Sequence, residues 1–492
     1  MKVFLGAKKD KFWSNIVEEL KDNQIDVIYW IGEVISEDPV PENCFFHEVV
    51  DAYLLKNLYD IEIETFDITA LDIKDYYCYL KILDRGDDLG GYSFSMRDRL
   101  FKEQLSYWYS ILKHTKPDAI VFSNVPHLVY DYPMYLAAKH LGINTMNFNV
   151  LPFANWRYVA NGIFSTRDRS NLVQITEDVN KIKKEFLVQA VEPYKNQNYS
   201  VPFYIKNQAN FDNKNKNIAR AQSLAKKAMV KSGLAEAPKI TVRADWRHNF
   251  FSFSGEDNFA SKLGYKVIKR RFINRLKDAY SRKSTSSEKI EELDNYVYVP
   301  LHYQPEATTA PQGGLYSDQI YMIEQLREWL PKDVAIVVKE HYSQFSGANS
   351  GYKGRYLTYW DKMSKIDNVY IAPMDYSQKD LILNSTTVAV ITGTAGWEAI
   401  QYGKNCITFG EAWFNSHPNA FRFENLSNHV LKDISNTENL PQHTDSFLDY
   451  FCQSLVKTDF TNPSNNTAVP SYDNVTNAIV TCLNPSFLNN EK

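Results

Sequence analysis

Short apolar runs alternate with segments of helical periodicity along the first third of the chain. The runs are rich in β-branched and aromatic residues, and the segments between them carry an apolar stripe at helical spacing. Strand and helix in alternation are typical of a parallel sheet that is covered on both faces. We therefore predict a Rossmann-like domain over residues 1–165. Its predicted strands are 2–7, 26–31, 118–123 and 144–149, and its predicted helices lie near 12–21, 97–113 and 133–141.

The same alternation resumes at Tyr296 and predicts a second doubly wound domain over residues 291–445, with closing helices over 446–492. Between the two domains, residues 166–290 form long polar, helix-favouring segments rich in Lys, Asn and Gln, which indicate a helical insertion or linker. The second set of predicted strands is 296–301, 334–339, 369–372, 388–392 and 406–409, with helices near 318–329, 378–383, 395–402, 446–455 and 475–482.

One segment of the predicted insertion, residues 262–283, is strongly basic. It contains nine Lys and Arg residues and a single acid, Asp278, and its apolar residues recur at helical spacing. A basic amphipathic helix of this kind can lie on an anionic membrane surface. Alternatively, the segment is a solvated helix that packs its apolar stripe on the adjoining domain.

The composition is that of a globular protein, with 44% hydrophobic and 23% charged residues. A net charge of −4 argues against nucleic acid as a partner. The five cysteines are scattered and include no CxxC pair, which argues against a disulfide framework and against a zinc site. We expect a reducing, cytoplasmic setting, because the sequence has neither a signal-peptide pattern nor an apolar run of about 18 residues.

Polar residues follow two predicted strands of the second domain. Glu306 comes shortly after the strand that begins at Tyr296, and Lys339 and His341 end the next one. Ligands of open α/β sheets bind beyond the carboxyl ends of the strands, so these three residues are candidates for chemistry. A carboxylate beside an imidazole suits a nucleophile or a proton-handling pair. Ordinary loop polarity is the alternative explanation, and no Asp-x-Asp or His-x-His pair indicates a metal.

A small-residue turn connects another predicted strand to a helix. Gly393 and Gly396 allow the backbone to approach a ligand closely, and the free N–H groups of the helix start favour a phosphate. Glu398, one turn into the helix, is placed to accept hydrogen bonds from ribose hydroxyls. Alternatively, Glu398 interacts only with the helix dipole.

Four segments resemble bacterial capsule polysaccharide biosynthesis proteins of the Kps type. These proteins are GT-B glycosyltransferases and include retaining β-Kdo transferases that use CMP-Kdo. Glu306 stands where those transferases typically have an Asp at the nucleophile position. The segments that carry the resemblance are 299–308, 338–341, 392–399 and 403–410.

The resemblance implies a GT-B-like α/β fold, in which two Rossmann-like domains face a cleft, and it implies roles for individual residues. Glu306 and His341 would be catalytic, and His127 and Asp131 of the first domain would bind the acceptor. No metal and no cofactor other than the CMP-linked donor is implied. The residues that would bind the nucleotide and the donor sugar are His302, Gln304, Lys339, Gly393, Thr394, Gly396 and Glu398.

We therefore expect a nucleotide-sugar-dependent glycosyltransferase of capsule or O-antigen synthesis that transfers Kdo or a related ulosonic acid with retention. Its acceptor would be a glycan or lipid-linked glycan, reached at the inner face of the cytoplasmic membrane if residues 262–283 bind lipid. Three alternatives stay open. They are a UDP-sugar 2-epimerase, a CDP-glycerol-type phosphotransferase on the same fold, and a non-catalytic subunit of polysaccharide export.

Overall fold

The computed structural model describes residues 1–56, 59–86, 93–153, 155–163, 172–175, 178–195, 243–245, 249–252, 259–346, 351–426, 431, 440–458 and 472–483. The strands are β1 Lys2–Gly6, β2 Asp26–Gly32, β3 Phe45–Glu48, β4 Ala119–Phe122, β5 Asn144–Val150, β6 Trp156–Asn161, β7 Arg243–Asp245, β8 Asn249–Ser252, β9 Tyr296–Pro300, β10 Ala335–Lys339, β11 Val369–Ile371, β12 Thr387–Val390, β13 Cys406–Thr408, β14 Ala420–Arg422 and β15 Leu455–Lys457.

The α-helices of the same residues are α1 Lys11–Asp22, α2 Val49–Tyr53, α3 Ile73–Gly86, α4 Phe94–Thr115, α5 Asp131–His140, α6 Val179–Ala190, α7 Glu192–Lys195, α8 Phe259–Lys283, α9 Ser287–Glu291, α10 Gln319–Trp329, α11 Tyr359–Met363, α12 Gln378–Asn384, α13 Thr394–Gln401, α14 Leu440–Phe451 and α15 Tyr472–Cys482.

Two sheets organise the molecule. The first has the order β15-β6-β5-β4-β1-β2-β3 and the second the order β11-β10-β9-β12-β13-β14. The second sheet is parallel throughout, and in the first only β6 and β15 run antiparallel to their neighbours. Both sheets contain the reversal of strand order that creates a ligand crevice in doubly wound folds, between β1 and β4 and between β9 and β12. The predicted α/β class with two doubly wound domains is confirmed.

The predicted strands and helices of both domains are present, with ends that shift by one to three residues in most cases. The pattern did not reveal the strands β3, β6, β14 and β15 or the helix α3. Residues 446–455 were predicted as one helix, which was wrong at its end, because α14 stops at Phe451 and Leu455 begins β15. This strand pairs with β6, and α15 packs on α1, so the C-terminal segment returns to the first domain.

Most of the predicted insertion lies outside the described residues. Its described part contains α6 to α9 and also a two-stranded antiparallel hairpin, β7-β8, which the polar composition did not predict. In α8 the apolar stripe packs on the second domain through Leu276, Ala279 and Tyr280. Basic side chains lie on the exposed side of this helix. Among the helices that the structure describes, none is long and apolar enough to span a membrane.

One hydrophobic core is shared by the two domains. It joins Trp156, Tyr158 and Phe186 of the N-terminal part to Tyr298 and Trp413 of the second domain. Trp413 packs edge-on against Phe186 at a ring distance of 6.2 Å. Burial of this aromatic surface fixes the domains against each other along one side of the cleft between them.

Candidate functional site

A cavity of about 820 Å³ lies between the two domains, at the carboxyl ends of β9, β10, β12 and β13. Strand register explains why the predicted residues meet there. Lys339 of β10 pairs with Pro300 of β9, so the residues that follow these two strands emerge side by side. The predicted residues that line the cavity are His302, Glu306, Lys339, His341, Gly393, Thr394 and Glu398.

Gln304 and Gly396 were also predicted to bind the donor, but the structure places both behind the wall of the cavity. The main-chain N–H and carbonyl groups of Gln304 are both bonded by the Gln344 side chain, each at 3.0 Å. A Cβ on Gly396 would lie 2.7 Å from Cys406 Sγ and 2.7 Å from Phe414 Cζ. Gly396 therefore allows α13 to pack closely on the sheet, which is a structural role.

His302 joins the ends of two strands. Its Nε2 accepts hydrogen bonds from the N–H groups of Ile391, at 3.1 Å, and Thr392, at 3.4 Å. Burial, with His341 and Arg355 nearby, lowers the pKa of His302 to about 3, so the ring is neutral. A Cβ on Gly393 would come within 2.9 Å of this ring. Gly393 thus makes room for His302, whose ring holds the turn in place.

His341 presents a hydrogen-bond donor to the cavity. Its Nδ1 accepts from the Ser343 N–H at 3.1 Å. Burial is the main cause that lowers the pKa of His341 to about 4, and the neutral ring then carries its proton on Nε2. Nε2 has no hydrogen-bond partner among the described residues. A neutral N–H donor suits a phosphate or carboxylate oxygen.

A buried ion pair that the sequence did not reveal holds both histidines. Arg355 binds Glu340 through Nε at 2.8 Å and Nη2 at 3.0 Å, and the two side chains are 1% and 0% exposed. Glu340 Oε1 also accepts from the His341 N–H at 2.8 Å, and Arg355 Nη2 donates to the His302 carbonyl at 3.0 Å. Glu340 follows a strand in the sequence, but nothing there indicates its partner.

Lys339 supplies a partly buried cation to the cavity. Its Nζ donates to the Tyr376 carbonyl at 2.5 Å. Burial lowers the pKa of this amine, and Asp375 opposes that effect. Lys339 and His341 both line the cavity beyond the end of β10.

Glu306 lines the cavity from a loop that follows β9. Burial raises the pKa of its carboxyl group, while a hydrogen bond from Thr308 and the positive charge of Arg85 lower it. The Glu306 carbonyl accepts from Thr309 Oγ1 at 3.1 Å and from the Ala310 N–H at 3.2 Å, which closes the loop into a turn. The main chain at Glu306 is therefore held in a turn beside the cavity.

Glu398 lies in α13 and is 4% exposed. One of its oxygens accepts from Gln378 Nε2 at 3.0 Å. Three hydrogen-bond donors near it line the same cavity and are buried without a partner among the described residues, namely Tyr298 Oη, Tyr402 Oη and Trp413 Nε1. Buried donors are normally satisfied, so this group indicates a place for a ligand or for ordered water.

The predicted acceptor residues His127 and Asp131 do not line the cavity. Asp131 accepts from the Leu128 N–H at 2.5 Å, and burial is the main cause that raises its pKa to about 7. His127 Nδ1 lies 2.5 Å from the Val125 carbonyl, and burial lowers its pKa to about 4. Both side chains therefore organise their own loop. The first domain contributes Val150, Leu151, Pro152 and Tyr158 to the cavity instead.

Among the residues that the structure describes, no group of three or more His, Cys, Asp or Glu side chains is arranged to hold a metal ion. The cavity contains four acids, Glu306, Glu340, Glu398 and Glu411. Glu340 is paired with Arg355, and Glu411 accepts from Arg422 Nη2 at 3.2 Å.

A family model for capsule polysaccharide biosynthesis proteins matches residues 210–418. Over this stretch the chain is similar to capsule polysaccharide biosynthesis proteins. The match includes β9 to β13 and most of the cavity wall. No curated protein sequence matches the chain significantly.

Solved structures that match the chain include transferases and epimerases. The KpsC β-Kdo 2,4 transferase of Thermosulfurimonas dismutans is 16% identical, with 44% of this chain and 62% of that chain covered and a TM-score of 0.23. Its β-Kdo 2,7 transferase is 13% identical, with 45% and 64% covered and a TM-score of 0.22. UDP-GlcNAc 2-epimerase from Methanocaldococcus jannaschii is 14% identical, with 91% and 93% covered and a TM-score of 0.20. The chain thus spans less than two thirds of the KpsC chains that it matches.

Proposed function

We propose that this protein is a member of the capsule polysaccharide biosynthesis family and a nucleotide-sugar-dependent glycosyltransferase of bacterial surface polysaccharide synthesis. The observation that carries the proposal is the cavity between two Rossmann-like domains, with Glu398 and three buried donors that have no partner among the described residues in its wall. A nucleotide offers both kinds of partner. Its ribose hydroxyls donate to a carboxylate, and its carbonyl, ring-nitrogen and hydroxyl acceptors use the O–H and N–H groups.

We further propose that the donor is CMP-linked Kdo or a related ulosonic acid. Such a donor carries a carboxylate and a phosphate near the reacting carbon. Lys339 and the Nε2–H of His341 supply a cation and a neutral donor at the end of β10, and together they suit two neighbouring anionic groups. The acceptor glycan would enter along the wall formed by 150–152 and Tyr158.

Glu306 is the proposed nucleophile. Its carboxylate would attack the anomeric carbon as the bond to the nucleotide phosphate breaks, forming a glycosyl-enzyme ester and free CMP. A hydroxyl group of the acceptor would then displace Glu306 and lose its proton, which gives net retention by two inversions.

Incubation with CMP-Kdo and a Kdo-terminated glycolipid acceptor tests this proposal. We expect CMP release, a donor-dependent mass increase on the peptide that contains Glu306, and a retained β-configuration in the product by NMR. An inverted product would contradict the double displacement. Absence of both CMP release and product would contradict a CMP-Kdo transferase on this acceptor. Equal rates with and without EDTA are expected if no metal takes part.

Acids in the cavity wall, among them Glu306 and Glu398, favour one second candidate, a UDP-sugar 2-epimerase, because that reaction needs acids placed for proton abstraction and no separate acceptor. Deuterium incorporation at C2 of a UDP-sugar in D₂O would support the epimerase and contradict the transferase. CDP-glycerol turnover would instead indicate the phosphotransferase. Normal polymer production by the Glu306→Gln variant in cells would indicate a non-catalytic export subunit.

Membrane contact through α8 is a separate proposal. The apolar stripe is used for packing, so contact would depend on the exposed basic residues Arg270, Arg271, Arg275 and Lys277 and on the exposed apolar Ile268. We expect flotation with anionic vesicles, and loss of flotation when the three arginines are replaced by Glu. Unchanged flotation of that variant would exclude this surface. Lys269 is left unchanged because its Nζ lies over the Tyr352 ring.

A further inference from the structure

The loop that carries Glu306 follows β9, the strand that lies between β10 and β12 in the second sheet. The segments that follow both neighbouring strands bond to this loop. After β10, the Gln344 side chain bonds to the main chain of Gln304. After β12, Thr392 Oγ1 donates to the Thr308 carbonyl at 2.9 Å. Glu306 therefore lies between two anchors, one on each side of it in the sequence.

The anchor at Gln344 is fully buried, with 0% of this residue exposed. Its side-chain oxygen accepts from the Gln304 N–H, and its side-chain nitrogen donates to the Gln304 carbonyl, each at 3.0 Å. The same nitrogen donates to the Gly351 carbonyl at 2.5 Å, so both of its N–H bonds are used. One side chain thus holds both main-chain polar groups of Gln304, as a paired strand does.

Gln344 is also bonded to the segment that orients His341. Its main-chain N–H donates to the His341 carbonyl at 3.0 Å. The N–H of Ser343, the residue before it, donates to His341 Nδ1 at 3.1 Å. The turn that fixes the imidazole ring therefore contains the residue that holds the Glu306 loop.

From Gln304 the bonding continues to Glu306. Gln304 Nε2 donates to Thr309 Oγ1 at 2.5 Å, and Thr309 Oγ1 donates to the Glu306 carbonyl at 3.1 Å. The Ala310 N–H donates to the same carbonyl at 3.2 Å. Gln304 is 8% exposed and Thr309 is 0% exposed, so water has little access to these bonds. We call Gln344, Gln304 and Thr309 the Gln344 network, and it holds the main chain on both sides of Glu306.

We propose that Gln344 is a positioning residue, which acts through Gln304 and Thr309 to set the Glu306 turn against His341. The inference rests on the proposed role of Glu306 in transfer. Gln344 does not line the cavity, so it acts on the reaction only through other residues. Displacement of a reacting group by about 1 Å lowers a rate by about 100-fold. Loss of the network should therefore lower kcat, whereas a merely structural role would lower stability alone.

Three variants test the inference through the rate of CMP release from CMP-Kdo. Thr309→Val keeps the shape of the side chain but removes the hydroxyl group, whereas Thr309→Ser keeps the hydroxyl group. Gln344→Met keeps the length of the side chain and removes all of its hydrogen bonds. In Thr309→Val and Gln344→Met we expect kcat to fall by roughly 10- to 100-fold and the KM for CMP-Kdo to change by less than about threefold. Thr309→Ser should recover most of the rate.

Gln453→Met is the matched control. Gln453 Nε2 makes an exposed hydrogen bond to the Asp449 carbonyl, at 3.0 Å, in the C-terminal segment. This variant should leave kcat unchanged. An unchanged kcat in Gln344→Met and Thr309→Val would overturn the inference. Equal losses of kcat in Thr309→Val and Thr309→Ser would also overturn it, because the hydroxyl group would then have no role. If Gln344→Met fails to fold, the two threonine variants decide.

Hydrogen–deuterium exchange of the peptide that spans residues 303–313 tests the network without any donor. The N–H groups of Gln304 and Ala310 have fixed partners in the network. We expect faster exchange in Gln344→Met and Thr309→Val than in the wild type and Thr309→Ser. Unchanged exchange in both of the first two variants would overturn the inference. If the wild type does not release CMP from CMP-Kdo, the proposed function fails, and the exchange result still decides whether the network holds the Glu306 turn.

Discussion

The two domains have the same reversal of strand order, yet only one of the reversal points opens into the cavity. Between β9 and β12 the loops contribute His302, Thr392 and Gly393 to its wall. Beside β1 and β4, His127 of the loop after β4 and Asp131 at the start of α5 bond to the backbone of that loop and stay outside the cavity. The carboxyl ends of parallel strands thus locate a crevice, but local hydrogen bonding decides whether its side chains are available to a ligand.

The largest expected effect is on the rate of transfer, and it tests the contribution of the second domain to the chemistry. Glu306→Gln keeps the size of the side chain but removes the nucleophile, and we expect transfer to fall by ~10³-fold or more. Glu328→Gln, an exposed change on α10, serves as control and should be silent. Rates are measured as CMP release. Activity of Glu306→Gln within a few fold of the wild type would remove Glu306 from the mechanism.

The next effect is on the stability of the second domain, where a buried ion pair supports the cavity wall. Glu340→Gln leaves Arg355 buried without its counter-charge, and breaking a buried pair of this kind costs ~3–5 kcal/mol of unfolding free energy. Urea unfolding measures the loss. Glu103→Gln, which breaks the exposed pair with Arg99, should cost below ~1 kcal/mol. Similar losses in both variants would contradict the assigned role of the Glu340–Arg355 pair.

Two tyrosines of β9 offer a matched comparison. Tyr296 Oη donates to the Leu381 carbonyl at 3.0 Å, whereas Tyr298 Oη has no partner among the described residues. Tyr298→Phe should leave stability unchanged or slightly higher and weaken nucleotide binding by about tenfold. Tyr296→Phe should cost ~1–2 kcal/mol of stability and leave binding unchanged. Calorimetry and urea unfolding measure both quantities, and the reverse pattern would show that Tyr298 does not contact the ligand.

The smallest effect is a dependence of stability on pH. His302 and His341 have pKa values of about 3 and about 4 in the folded protein, against 6.5 as the ordinary value. The unfolded chain therefore binds more protons between pH 6.5 and 4, and each histidine makes stability fall as the pH falls through that range. In His341→Gln, the number of protons taken up on unfolding near pH 5 should be smaller by about one. Urea midpoints near pH 5 and pH 7 measure it, and an unchanged difference between them would contradict a neutral His341.

The sequence predicted the second domain's wall well because its signals are local. An apolar, β-branched run followed by Glu306, or by Lys339 and His341, reports both the strand and the chemistry at its end. The antiparallel strands β6 and β15 were missed. In β6 apolar and polar residues do not form a clear strand pattern, and β15 is only three residues long. Tyr158, on β6, consequently went unnoticed as part of the cavity wall.

Partners that are distant in sequence could not be predicted. Glu340 and Arg355 are fifteen residues apart. The loop that carries Glu306 meets α3 across the domain boundary, where Cys78 Sγ lies 3.6 Å from the Pro311 carbonyl oxygen, and the sequence does not indicate that contact. His302 and the two glycines were expected to bind the donor, but Gly396 fills a packing role and Gly393 accommodates the His302 ring. Periodicity indicates which residues lie at strand ends. It cannot indicate which of these residues have a structural role and which are available to a ligand.

Binding of a nucleotide panel to the purified protein tests the central claim most directly. Calorimetry with CMP, CDP, UDP and GDP should show selective binding of CMP, and Glu398→Ala should abolish it while Glu328→Ala leaves it unchanged. Selective UDP binding would contradict the ulosonic-acid donor and favour the epimerase. Binding of none of the four nucleotides by folded protein would contradict the nucleotide-sugar site itself.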